Sequence, residues 1–138
     1  MGASKAGPPL AGGYVCVNLE IEANATTSTA KKQIMALPAG MTGQIIAISA
    51  RARTVTSDPA IEVGNTTTVN AYVTTANLTT AVQMLTLGGG SVVSGRGPVA
   101  AGGKIQVTVT NDNGDGVGVT DVAVWMYTEE HASNIPAD

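Results

Sequence analysis

Val15-Cys16-Val17-Asn18-Leu19-Glu20-Ile21-Glu22 is the stretch on which the fold class turns. Val15, Val17, Leu19 and Ile21 alternate with Cys16, Asn18, Glu20 and Glu22. Successive side chains of an extended strand point to opposite faces, so this alternation gathers the apolar groups on one side; a helix would scatter them around its axis. The stretch reads as a half-buried β-strand, and the rest of the chain repeats its style.

Upstream, residues 1–13 hold Pro8, Pro9 and Gly2, Gly7, Gly12 and Gly13 with no apolar period, the composition of a flexible arm. Downstream, Lys32 to Leu37 is a short strand ended by Pro38-Ala39-Gly40, and Gln44 to Thr56 a long one. In the long strand Ile46, Ile48, Ala50 and Ala52 are expected on one face, with Ser49, Arg51 and Arg53 on the other. Ile61 and Val63 make a brief strand stopped at Gly64-Asn65, and Thr67 to Thr74 reads as another. Ala76 to Leu87 carries both periods: Leu78, Ala81, Val82 and Leu85 fall at helical spacing, while Val82, Met84 and the Thr-rich flanks favour a strand over Ala81 to Leu87.

Lys104 to Thr110 sets Ile105, Val107 and Val109 inward and Gln106, Thr108 and Thr110 outward. Asn111-Asp112-Asn113-Gly114-Asp115-Gly116 has hairpin-loop chemistry. From Val119 to Thr128 both faces are apolar, Val122, Val124 and Met126 on one and Ala123, Trp125 and Tyr127 on the other, which predicts a central or interfacial strand. The expected fold is all-β: a single antiparallel β-sandwich of about eight strands, jelly-roll-like. The expected boundaries are an arm over 1–13, a domain over 14–128 and a tail over 129–138.

Composition narrows the function classes. The chain has 138 residues, 43% hydrophobic and only 12% charged, with no Phe, one Trp and three Tyr. A core this short of rings, under a weakly charged surface, is expected to gain stability by association. A net charge of −3 argues against nucleic acid, which demands a basic footprint. The single Cys16 leaves no internal disulfide, no apolar run reaches the about 20 residues that span a bilayer, and residues 1–9 lack a signal peptide's apolar segment. Synthesis in a cytoplasm is the expectation.

Each candidate for chemistry is outweighed by a plainer reading. His131 is the only histidine and falls in the tail, poorly held for a general base. Cys16 has neither a cationic neighbour nor a helix N-terminus to activate it. The Asn111–Gly116 loop resembles a calcium loop but has Val122 where the last ligand belongs, leaving only a weak surface cation through Asp112, Asp115 and Asp121. Gly88-Gly89-Gly90-Ser91 and Gly95-Arg96-Gly97 lack the Gly-Lys-Ser/Thr of a phosphate cradle. Arg51 and Arg53 suit an acidic ligand less well than solvation or pairing between subunits. Glu20 with Glu22, and Glu129 with Glu130, are unpersuasive as hydrolytic carboxylate pairs. The Asn-x-Thr triplets at Asn24, Asn65 and Asn77 are expected by chance in a Thr-rich chain. No catalytic, cofactor-binding or metal residue is assigned, no cofactor is expected, and the chain is read as a non-enzyme.

The Pro/Gly-rich arm, the Thr/Val/Gly-rich alternating strands, the turn Val99-Ala100-Ala101-Gly102-Gly103 leading into Lys104-Ile105, and the closing Asp121-Val122-Ala123-Val124-Trp125-Met126-Tyr127 together resemble the small β-sandwich head decoration (cement) proteins of tailed bacteriophages. The resemblance is one of punctuation over residues 14–128. It implies a virion structural protein that stabilises the capsid from outside, as a homotrimer bound to the major capsid protein, with Lys5, Pro8, Pro9 and Leu10 in a capsid-binding arm. It carries no catalytic residues. A phage fibre, collar or head-spike component and a carbohydrate-binding or adhesion module are the alternative readings.

Overall fold

The computed structural model describes residues 13–23, 31–53, 59–111 and 118–130. These form β1 (Gly13–Ala23), β2 (Lys31–Ala36), β3 (Met41–Ala52), β4 (Pro59–Gly64), β5 (Val73–Asn77), β6 (Gln83–Met84), β7 (Gly97–Val99), β8 (Lys104–Asn111) and β9 (Gly118–Glu130). No helix occurs among the described residues. Two antiparallel sheets face each other: a five-stranded one in the order β1-β9-β3-β6, with β7 also paired to β3, and a four-stranded one in the order β2-β8-β4-β5. The β-sandwich expected from the sequence is the fold observed.

The two sheets close on an aliphatic core. Ile45, Ile48, Val122, Val124 and Met126 of the larger sheet meet Ile61, Val63, Ile105, Val107 and Val109 of the smaller. All are at most 3% exposed, and Tyr72 is the one aromatic ring among them. β1 follows its alternation: Ile21 is buried, Val17 and Leu19 pack against the core, and Cys16, Asn18, Glu20 and Glu22 face outward. β9 lies between β1 and β3, the central position that its apolar residues on both faces predicted. The domain's strands reach one residue before 14 and two beyond 128, since β1 starts at Gly13 and β9 ends at Glu130.

Three expectations need correction. In β3 the register against β9 shifts between Ile45 and Ala47. This bulge inserts Ile46 as an extra residue, so Ile45 and Ile48, three apart, both point inward and Ile46 does not. Thr54 to Thr56 lie outside the described residues.

Thr67 to Tyr72 is not strand. The Asn65 side chain accepts from the backbone N–H groups of Thr67 (2.9 Å) and Thr68 (2.7 Å), and Asn65 N–H donates to the Thr68 carbonyl at 2.9 Å. Those donors, satisfied locally, have no need of a sheet ladder. The turn folds onto Gly64, where a Cβ would strike the Thr68 and Val69 backbone. β5 therefore begins only at Val73.

Ala81 to Leu87 shrinks to the two residues of β6 because only Ser49 and Ala50 pair with it. Leu78 and Leu85 nonetheless anchor the segment in the core. Gln106 and Thr108 lie on the outer face of β8 as expected, Gln106 in register with the exposed Ile34, yet both are only 5% exposed; Gln106 Nε2 donates to Thr108 Oγ1 at 3.4 Å. β7, three residues paired to β3, had no signal beyond the Gly-Arg-Gly-Pro punctuation.

Candidate functional site: the outer face of the five-stranded sheet

Register places the chemically distinctive residues on one surface. Directly paired residues share a face, so the outward rows across β1, β9 and β3 read Tyr14–Tyr127–Gln44, Cys16–Trp125–Ala47, Asn18–Ala123–Ser49 and Glu20–Asp121–Arg51. Arg53, whose N–H donates to the Val119 carbonyl at 2.9 Å, continues the β3 column. Met84, paired with Ser49, extends the face beyond β3.

One end of this face is aromatic. Tyr14 and Tyr127 pack edge to face with ring centroids 5.2 Å apart. Tyr14 is 80% exposed, Met84 64% and Trp125 37%. Together with Val82, 65% exposed and bordering the same surface, they are four of the eight large hydrophobics left exposed among the described residues. Such a concentration on one face marks a contact surface rather than scattered surface apolarity.

The other end is charged and internally paired. Asp121 is gripped by Arg53 through Nη2–Oδ1 at 2.8 Å and Nε–Oδ2 at 3.0 Å, a bidentate fork, and by Arg51 Nε at 3.2 Å. Arg53 Nη2 also reaches Glu20 Oε2 at 3.3 Å. The hydrogen bonds from Arg53, then the one from Arg51, hold the Asp121 carboxyl below its ordinary value, and the bonds between Arg53 and Asp121 raise Arg53 in turn. A broad, shallow depression lies here, walled by Glu20, Ser49, Arg51, Arg53, Val82 and Asp121.

The other sequence-level candidates fare differently. Asp121 cannot serve a cation site, since its oxygens already accept from two guanidiniums; Asp112 and Asp115 lie outside the described residues, and no cluster of three metal-ligating side chains occurs among the described ones. Lys5, Pro8, Pro9, Leu10 and His131 also lie outside them. Cys16 is an exposed free thiol beside Trp125 in register. Tyr72 is buried and its hydroxyl is committed to the Pro98 carbonyl at 2.8 Å, so it offers no surface ring. The Arg51–Asp121–Arg53 cluster is not legible as a unit because Asp121 lies 70 and 68 residues from the two arginines in sequence, and only the β3–β9 register unites them.

Fold and face together define a class: a two-sheet β-sandwich whose larger sheet exposes aromatic and aliphatic side chains beside an internally paired charge cluster. No protein-family model matches the chain, and no curated protein matches it. Among solved structures, a chain of the cyanophage Pam1 capsid asymmetric unit is similar over 88% of this chain and 89% of its own, with a TM-score of 0.49 and 16% identity.

Proposed function

We propose that this chain is a non-enzymatic structural protein of a phage virion that decorates and stabilises the outer capsid lattice. The observation that carries the reading is the outer face of the five-stranded sheet, whose exposed Tyr14, Trp125, Met84 and Val82 are suited to cover by protein. Glu20, Arg51, Arg53 and Asp121 on it pair with one another within the chain, so covering them leaves none of these four unpaired. The strand order supports the same reading. With the short β7 set aside, the sheets run first-eighth-third-sixth and second-seventh-fourth-fifth, an order that supports the jelly-roll winding expected from the sequence, a winding that viral capsid and lectin domains use. The resemblance to decoration proteins supplies the site of action, with association in threes and residues 1–12 as the anchoring arm.

Co-sedimentation with purified tailed-phage capsids tests it. The full chain binds saturably, and removal of residues 2–12 leaves its far-UV circular dichroism unchanged while weakening attachment. A chain that binds no capsid lattice, or a truncated chain that saturates it equally well, overturns the reading or the role of the arm respectively. Sedimentation at micromolar concentration tests the threefold part, which requires a mass of three copies or a multiple of three.

The aromatic end favours one second reading, sugar binding on the Trp125 ring with Tyr14 beside it. Glycan-array binding that disappears in Trp125→Ala selects that reading over the first.

A further inference from the structure

The outer face of the five-stranded sheet has a handed distribution of charge. Glu20 and Glu22 stand in the β1 column and Arg51 and Arg53 in the β3 column, with the β9 backbone between them and the Arg53 side chain reaching across it to Glu20 Oε2 at 3.3 Å. At ordinary strand spacing the two columns are about 10 Å apart. Between them runs the β9 column, with Trp125 and Ala123 at its middle and Asp121 towards the charged end.

We infer that this face is covered by a second copy of the same chain, related to the first by a twofold axis running along β9. That rotation keeps every row at its own level and exchanges left for right, so β1 of each copy lies over β3 of the other. Glu20 then faces Arg51 of the second copy, and Glu22 faces its Arg53. Acid meets base twice on each side of the axis, in a contact where each copy presents the same patch. Trp125 sits on the axis against its own counterpart, Cys16 lies over Ala47, and Tyr14 over Gln44. Asp121 also meets its counterpart, but Arg51 and Arg53 of its own chain already neutralise it.

The alternatives lack this match. A twofold axis across the strands sets β1 on β1 and brings the charged end over the aromatic end, so no acid finds a base. An unlike partner must bring a complementary charge pattern of its own, whereas this chain already carries both halves. The inference shares with the proposed function only the premise that the face is covered by protein. Capsid attachment plays no part in it, and a threefold contact elsewhere on the molecule remains compatible with it.

Two full-length variants test it by sedimentation and native mass spectrometry. The parent is expected at two copies, or at six if threefold contacts are also present. Glu20→Lys places cation over cation and Arg51→Glu places acid over acid, so each variant alone dissociates at a concentration where the parent is paired. Mixing the two restores a one-to-one pair, because the cation introduced at position 20 of one then faces the acid introduced at position 51 of the other. A parent at one or three copies, or a mixture no more associated than its components, overturns the inference.

Should a charge variant fail to fold, Ala47→Cys with a short bis-maleimide gives an independent measurement. Cys16 and position 47 lie two strands apart within one chain but over one another across the axis. Cross-links between position 16 of a light copy and position 47 of an isotope-labelled copy are expected, and their absence counts against the twofold contact. Failure of capsid co-sedimentation with these results intact rejects the capsid reading alone.

Discussion

The Tyr72 hydroxyl donates to the Pro98 carbonyl at 2.8 Å, and the same ring fills the space over Gly97, where a Cβ would come within 2.8 Å of Tyr72 Cδ1. One side chain from the loop entering β5 thus pins β7, a strand of the opposite sheet. Burial holds the Tyr72 phenol above its ordinary value.

Tyr72→Phe keeps the ring and deletes the bond, leaving a part-buried carbonyl without this donor. The expected loss is about 1 kcal/mol in urea unfolding, with the denaturant slope unchanged. A loss near zero would show that the hydroxyl contributes nothing to holding β7.

Gly64→Ala tests why the Thr67 region turns. The added Cβ meets the backbone of Thr68 and Val69, and neither can move without opening the Asn65-capped turn. Destabilisation at the upper end of the about 1–3 kcal/mol range for overpacking is expected. Gly90→Ala, with open space at its Cβ, serves as the control and stays close to the parent.

Ile45→Ala and Ile46→Ala separate the bulged register from simple alternation. Ile45 is fully buried against the partners of β9, so its truncation is expected to cost about 2–5 kcal/mol. Ile46, half-buried, costs markedly less. Equal losses in thermal or urea unfolding contradict the shift at this position.

Asp121 sets an acid-dependent part of stability. Its folded pKa lies below the unfolded value, so the unfolded chain binds more protons in acid and acid favours unfolding. The contribution is present in full above the unfolded value of about 3.9 and is lost as the pH falls through the folded one. Asp121→Asn is expected to be modestly less stable than the parent at neutral pH, because the arginines are partly exposed. That difference closes in acid. Parallel stability–pH curves for the two proteins exclude the carboxylate as the cause.

How far the sequence discloses this molecule depends on whether an element's information is local. β1, β8 and β9 each carry their period in their own residues, and all three fold where that period places them. In β3 Ile48, Ala50 and Ala52 face inward as their alternation predicts, and only Ile46 gives way to Ile45, because a bulge is a property of the β3–β9 pair and leaves no mark in the sequence of Ile45, Ile46 and Ala47. The threonines at 66–68 have strand propensity, yet one Asn side chain and one Gly without a Cβ outweigh it. Gln106 and Thr108 face outward as their polarity reads, while their burial follows from β8 lying between β2 and β4, whose side chains flank them on that face. The outer face was legible in its parts, Trp125 and Tyr127 on one parity and Arg51 and Arg53 on another strand. Its unity comes from long-range register.

Gly13 and Thr128 are register partners, joined further by the Thr128 hydroxyl donating to the Gly13 carbonyl at 3.3 Å, and Glu130 pairs with Met41 at the same pole. Peptide added ahead of β1 and peptide added after β9 therefore leave the sandwich side by side. For display this means that cargo fused at either end emerges from one pole, and that a host loop can carry the whole domain as an insert with its two stems close together.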